Sequence, residues 1–168
     1  MECGAGAIVS VQGNVDDWMN MRRYFEDFSL GEMWTSKPVT LTEEDIITYA
    51  KYYDPQPIHT DPEKAAAGRF GSVIASGWQI AALSMKLFVE SGGYGETPMV
   101  GLGIDTLRWR RPVRPGDTLQ VTREVVELDR HKTRPEFGIV KTQVTMTNQD
   151  GETVMTLMSL GQVPCRPI

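Results

Sequence analysis

The sequence predicts an α+β fold in which a curved antiparallel sheet wraps one long central helix. Three observations carry this. Helical patterns fill the first half of the chain, whereas residues 100–163 read as a series of long strand-like runs. Helices and strands in separate blocks favour α+β over an alternating parallel fold. Between the last two runs, Asn148-Gln149-Asp150-Gly151 supplies a hairpin turn, with Asp-Gly its strongest signal. The third observation is the segment Trp78 to Glu90, which is apolar on nearly every face. Such a helix requires burial on most sides, and a sheet curled around it would provide that.

Residues 1–22 show no clear period and are read as an N-terminal extension, either a disordered tail or an added edge strand; a single domain then occupies residues 23–168. The apolar stretch Ala5 to Val11 has no basic residue before it, unlike a secretory signal. Tyr24 to Phe28, Trp34 to Ser36 and Pro38 to Leu41 are short β-prone pieces separated by turn residues. A helix is predicted from Thr42 to Tyr53. Thr42 is its N-cap, Glu43, Glu44 and Asp45 suit the positive end of the dipole, and Ile46, Tyr49, Ala50 and Tyr53 form one stripe. Pro55 ends it. A short second helix follows, with Asp61 as N-cap, Pro62 at its first position and Gly68 as its C′ residue. Arg69-Phe70-Gly71-Ser72 is a connector whose glycine permits close backbone approach. Ser76 caps the central helix and Ser91-Gly92-Gly93 stops it. Strands are predicted for Val100 to Trp109, Thr118 to Leu128, Phe137 to Met146 and Thr153 to Val163.

Composition narrows the function. The 168 residues suffice for one domain with a sizeable core, and the formal charge of −5 argues against a general nucleic-acid binder. No apolar run is long enough to span a bilayer. Two cysteines, Cys3 and Cys165, lie near opposite ends and outside any metal-type spacing, so a reducing cytoplasmic setting is expected.

Chemistry concentrates in Asp54-Pro55-Gln56-Pro57-Ile58-His59. A carboxylate and one of the two histidines stand five positions apart across two prolines. Proline fixes its own φ and biases the residue before it, so the segment is read as a stiff, extended arm. Asp54 sits at the negative end of the preceding helix, where the dipole should push its pKa upward and suit it to proton transfer near neutral pH. The alternative is that Asp54 merely opens a proline turn. Similarly, the free N–H groups at Ser76-Gly77 either bind a developing oxyanion or belong to a plain helix cap. His131 reads as a loop histidine. Arg108, Arg110 and Arg111 suit either phosphates or a solvated strand face.

The arm, the Ser76-Gly77 helix start and the stretch Arg108-Trp109-Arg110-Arg111-Pro112-Val113-Arg114-Pro115-Gly116-Asp117-Thr118-Leu119 resemble the MaoC-like dehydratases, a family that includes (R)-specific enoyl-CoA hydratases. The likeness covers residues 30 to 163. It implies a hot-dog fold, assembly as a homodimer or higher homo-oligomer, and an acyl thioester bound near the subunit interface. It implies that Asp54 and His59 are the catalytic acid–base pair and that the Gly77 N–H polarises the thioester carbonyl. Ser76 and Gln56 fall among the substrate-binding positions. The sequence departs from the family pattern at Gln56, where Asn is usual in the motif Asp-x-Asn-Pro-x-His. It departs also at Tyr53, where many members have Gly, and at Ser76, where many have His.

The implied reaction is reversible syn addition of water to a trans-2-enoyl thioester, giving an (R)-3-hydroxyacyl thioester. No cofactor is expected; coenzyme A or an acyl-carrier pantetheine enters as the handle of the substrate, with neither nucleic acid nor membrane as partner. Two rival readings stand beside it. One is a non-catalytic acyl-thioester-binding or assembly protein of the same fold. The other is a hot-dog thioesterase, which would place its acid on the central helix, where only Glu90 at the far end is available.

Overall fold

The computed structural model describes residues 22–93, 95–97 and 99–167. The expected N-terminal extension therefore lies outside the described residues except for Arg22, which bridges Gly95. Phe25–Asp27 forms a 3-10 turn where a β-prone piece was expected. Two short strands follow, β1 (Met33–Thr35) and β2 (Val39–Thr40). Helices α1 (Glu43–Tyr53), α2 (Pro57–Thr60), α3 (Pro62–Ala67) and α4 (Gly77–Glu90) come next. The long strands are β3 (Val100–Trp109), β4 (Thr118–Arg130), β5 (Phe137–Thr147) and β6 (Thr153–Pro164).

The strands form one antiparallel sheet in the order β1-β4-β5-β6-β3, with β2 also on β4. Along β4 the side chains of Leu119, Val121, Arg123 and Val125 are buried in strict alternation, the signature of a strand with one face on the core. Ile46, Leu119, Val121, Val144, Met146 and Met155 are fully enclosed and join α1 to the inner face of the sheet. At the far end of α4, Phe88 stands edge-on to Trp34 at 5.1 Å, and the Arg123 guanidinium lies 4.2 Å from its ring centre. No helix among the described residues is long and apolar enough to cross a membrane.

α1 has the predicted start. Thr42 Oγ1 accepts the Asp45 N–H and Asp45 Oδ2 accepts the Thr42 N–H, a reciprocal cap. Only Ile46 and Ala50 of its stripe reach the core; Tyr53 stacks on Tyr49 at 4.9 Å and faces solvent. The helix stops at Asp54, whose N–H still bonds Ala50 O.

Three local expectations are corrected. The arm is extended only around Pro55 and Gln56, because Pro57 is preset for the first turn of a helix and starts α2. Gly68 ends α3 at φ −90, not in the left-handed region; that conformation falls on Gly71 at φ +71, where an added Cβ would meet no described residue within 4 Å. The third concerns α4. Its buried positions Ile80, Ser84 and Phe88 recur every fourth residue and face the sheet, whereas Trp78, Met85 and Val89 are exposed. One side of this helix is thus covered and its remaining apolar face is exposed; among the described residues β3 pairs only with β6, leaving its other edge unpaired. On that strand Val100, Leu102 and Ile104 are also exposed.

Candidate active site

Two helix termini build the site. α1 delivers Asp54 as its last capping residue, and α4 begins with Ser76 as N-cap. Ser76 is fully buried, and its hydroxyl serves both elements. It accepts the Trp78 N–H at 3.3 Å and donates to Asp54 Oδ2 at 2.7 Å. A hydroxyl has one proton and two lone pairs, so both bonds coexist. Gln56 Nε2 donates to the other carboxylate oxygen, Oδ1, at 2.7 Å. The longer side chain at the usual Asn position is therefore folded back onto Asp54.

α2 carries His59 into the same place. Its side chain is buried, and Nε2 lies 3.3 Å from Asp54 Oδ2. Nδ1 is 2.7 Å from Ile74 O. A carbonyl can only accept, so Nδ1 carries the proton and Nε2 is the nitrogen that exchanges one. The same Ile74 donates its N–H to Ile58 O at 3.1 Å. The imidazole is thereby fixed in position and tautomer by a backbone segment, not by another side chain.

The electrostatics reverse one expectation. Asp54 is held below the usual carboxylate range, first by the Gln56 donor, then by Ser76, against a smaller opposing effect of burial; the nearby His59 adds to the lowering. The helix dipole at this end is worth about 0.3–1 kcal/mol in exposed settings. A hydrogen bond to a charged group contributes about 1.5–3 kcal/mol. Two such donors outweigh the dipole, and Asp54 is a carboxylate over the whole neutral range.

Gly77 follows directly. As the first residue of α4 its N–H has no acceptor within the helix, and the Ser76 hydroxyl is engaged with Trp78 instead. Its missing side chain matters as well. A Cβ there would fall 2.3 Å from the Trp109 indole, which is packed against the helix start and edge-on to Trp78 at 5.4 Å. Trp109 and the Ile74 carbonyl belong to the site, yet no local pattern reveals them: both depend on how distant segments meet. Ser76 was legible as a cap, but its bond to Asp54 was not.

Other candidates have partners of their own. His131 Nδ1 accepts the N–H groups of Thr133 and Arg134 and organises a turn. Arg111 pairs with Glu152 at 3.2 Å, and Arg108 donates to its own strand at Leu107 O. Glu90 is exposed at the opposite end of α4, 3.7 Å from Lys86, so the acid a thioesterase would need is not at this site. Among the described residues, no group of three metal-ligating side chains converges.

Residues 29–148 match the family described as MaoC like domain. An uncharacterised Bacillus subtilis protein, YdeM, is 37% identical over 124 residues, 74% of this chain and 86% of that protein. A 3-hydroxybutyryl-CoA dehydratase of Methylorubrum extorquens is 31% identical over 134 residues, 79% of this chain and 82% of that one. The crystal structure of a MaoC-like dehydratase from Rhodospirillum rubrum superposes with a TM-score of 0.77 at 35% identity, covering 87% of this chain and 99% of its own.

Two outcomes follow from this geometry. A carboxyl whose pKa is depressed by folding stabilises the fold above the ordinary aspartate value of about 3.9, and that contribution is lost as pH falls through the folded value. Ser76→Ala removes one donor, so carbon-13 titration should find the Asp54 carboxyl moved upward and its stability contribution lost at a higher pH. Gly77→Ala keeps the N–H but displaces the Trp109 ring, at a cost of about 1–3 kcal/mol in urea unfolding. In a Trp109→Ala background the same substitution should cost little, since the clashing ring is gone.

Proposed function

The chain belongs to the MaoC-like domain family and shares its hot-dog fold, and from that premise we propose that it is a hydratase/dehydratase of acyl thioesters. The reaction is reversible syn addition of water to a trans-2-enoyl thioester, giving the (R)-3-hydroxyacyl thioester. The observation that carries this reading is the Asp54–His59 pair, 3.3 Å apart with Nδ1 committed to Ile74 O. In its neutral form His59 then turns an unprotonated Nε2 toward Asp54 Oδ2. Two acceptors side by side want a donor with two protons, and water is that donor. A water giving one O–H to each turns its lone pairs outward, toward the substrate.

The chemistry then balances. As the water oxygen bonds C3, the pair takes one of its protons. Electrons move onto the thioester oxygen, where the Gly77 N–H donates a hydrogen bond to the developing charge. The pair returns a proton to C2 from the same side, and the enolate collapses to the product. Water held by two fixed groups and a carbonyl held by a third leave one face of the double bond in reach, and such orientation supplies a large part of the rate. Coenzyme A or an acyl-carrier pantetheine carries the acyl group. The dehydratase name of the Methylorubrum relative supports the reaction class.

Assembly belongs to the same proposal. Among the described residues β3 has one unpaired edge and exposes Val100, Leu102 and Ile104, and α4 exposes Trp78, Met85 and Val89; apolar surface of this kind favours being covered. A second copy would cover it, with a homodimer as the minimum unit. Light scattering at micromolar concentration should give a dimer; a stable monomer with full activity contradicts this.

Crotonyl-CoA and longer enoyl-CoA substrates test the reaction. Asp54→Asn and His59→Ala should each lower kcat by about 10²–10⁴. Asp54→Asn should leave the fold intact, whereas His59→Ala should also cost about 1–3 kcal/mol, because it orphans the buried Ile74 carbonyl. Product should turn over with an (R)-specific 3-hydroxyacyl-CoA dehydrogenase and not with an (S)-specific one. Wild-type rate in either variant, or (S)-product, would sink the assignment. No hydration of any enoyl chain would favour an acyl-binding role.

A further inference from the structure

The segment Val73–Ala75 is buried but belongs to no strand. On one side Ile74 binds the arm, through its N–H to Ile58 O and its carbonyl to His59 Nδ1. On the other side the turn after β3 holds it. Ala75 donates its N–H to Val113 O at 2.8 Å, and the next residue, Arg114, reaches the other end of the segment. Arg114 Nη1 donates to Phe70 O at 2.6 Å and to Ser72 Oγ at 2.7 Å. Ser72 Oγ in turn donates to Val73 O at 3.1 Å.

Arg114 is itself rooted. Its N–H bonds Asp117 Oδ2 at 2.7 Å, and its carbonyl accepts the Asp117 N–H at 3.1 Å. The turn closes through Gly116 at φ +87, and Gly116 and Asp117 exchange backbone bonds with Leu41, just before α1. Its foundation is therefore the same unit that carries Asp54. Among the described residues, the Phe70–Ser72 loop that it grips has one further backbone bond, from Gly71 to Gly68 O at 3.2 Å.

We propose that Arg114 is a positioning residue for His59, acting through the loop and the Ile74 carbonyl. This rests on the reading of His59 as half of the acid–base pair. One guanidinium nitrogen fixes the entry of the buried segment, and Val113 O fixes its exit. With both ends held, the Ile74 carbonyl can point only at Nδ1. Released at its entry, the segment can rotate that carbonyl away, and the ring loses its tautomer and its aim. Because Arg114 is exposed, its removal opens no cavity, and its effect on the site is separable from an effect on global stability.

The chain has two histidines, so nitrogen-15 spectra of the imidazoles are simple, and His131→Asn assigns them. In the full-length protein the His59 Nδ1–H should be a slowly exchanging, single-tautomer signal. Arg114→Ala should speed that exchange by about tenfold or more and mix the tautomers, as expected when a local opening is made easier. Ser72→Ala, which removes one of the two acceptors, should do so more weakly, and Arg114→Lys should fall between. Since misplacement by about 1 Å costs on the order of 10² in rate, kcat on crotonyl-CoA should fall about tenfold in Arg114→Ala. KM should stay within about twofold, because binding contacts are retained. An unchanged Nδ1–H signal in Arg114→Ala and Ser72→Ala overturns the proposal, as does a fall in melting temperature with kcat per folded molecule unchanged. The imidazole signal is read without substrate. Failure of the wild-type protein to hydrate enoyl thioesters would therefore count against the proposed reaction and leave the link to Arg114 to be decided separately.

Discussion

A stretch of backbone buried outside any sheet needs partners for its polar groups, and Val73–Ala75 finds them in two distant parts of the chain. Val113, Ile58 and His59 each satisfy one of its groups. A single buried group left unpaired costs about 1–3 kcal/mol. The stretch therefore ties the turn after β3, the α2 arm and the imidazole into one arrangement. His59 is not simply held by this frame but completes it, since its Nδ1–H is the donor that a core carbonyl requires. Fold stability and ring orientation are the same hydrogen bond seen from two ends.

A second constraint comes from where Asp54 lies. A residue that ends a helix has one foot in regular structure, so its backbone is placed by the core contacts of Ile46 and Ala50. Its side chain is then free to be set by others. Gln56, two residues on, and Ser76, from another helix, take one oxygen each. The carboxylate is oriented by short bonds that outweigh the unfavourable dipole behind it. A carboxylate held this way gives up some basicity in exchange for a fixed direction. In the proposed reaction, His59 Nε2 beside it would give the proton a second acceptor.

Much of this is legible in the sequence. The helix from Thr42 to Tyr53, the strand blocks and the Asp150-Gly151 hairpin follow from local preference and periodicity, and the structure has them with shifted ends. The pairing of Asp54 with His59 was implied by a spacing across two prolines together with a family resemblance. What escaped were facts made by tertiary meeting. The Trp109 indole sits on Gly77 because β3, paired antiparallel to β6 through two register shifts, ends with Trp109 opposite Met155. The downward pKa of Asp54 was misjudged because the helix dipole is visible in sequence and the two donors are not. The burial of α4 was overestimated because periodicity reports how much apolar surface a helix has, and not whether its own chain is the one to cover it.

Ser76 leaves a final mark on what this protein can become. As helix caps, Asp, Asn and Ser are nearly equivalent, and a search for stability alone would sample all three at this position. Here they are not equivalent. Aspartate would set a second negative charge against Asp54 with no proton to offer. Asparagine could donate, but its larger planar amide must fit a fully enclosed space built for a hydroxyl. Threonine keeps the hydroxyl and adds a methyl group to the same space. The helix start is thus under two selections that agree on one small residue, and thermostabilised descendants of this chain should vary at almost any other cap before they vary at this one.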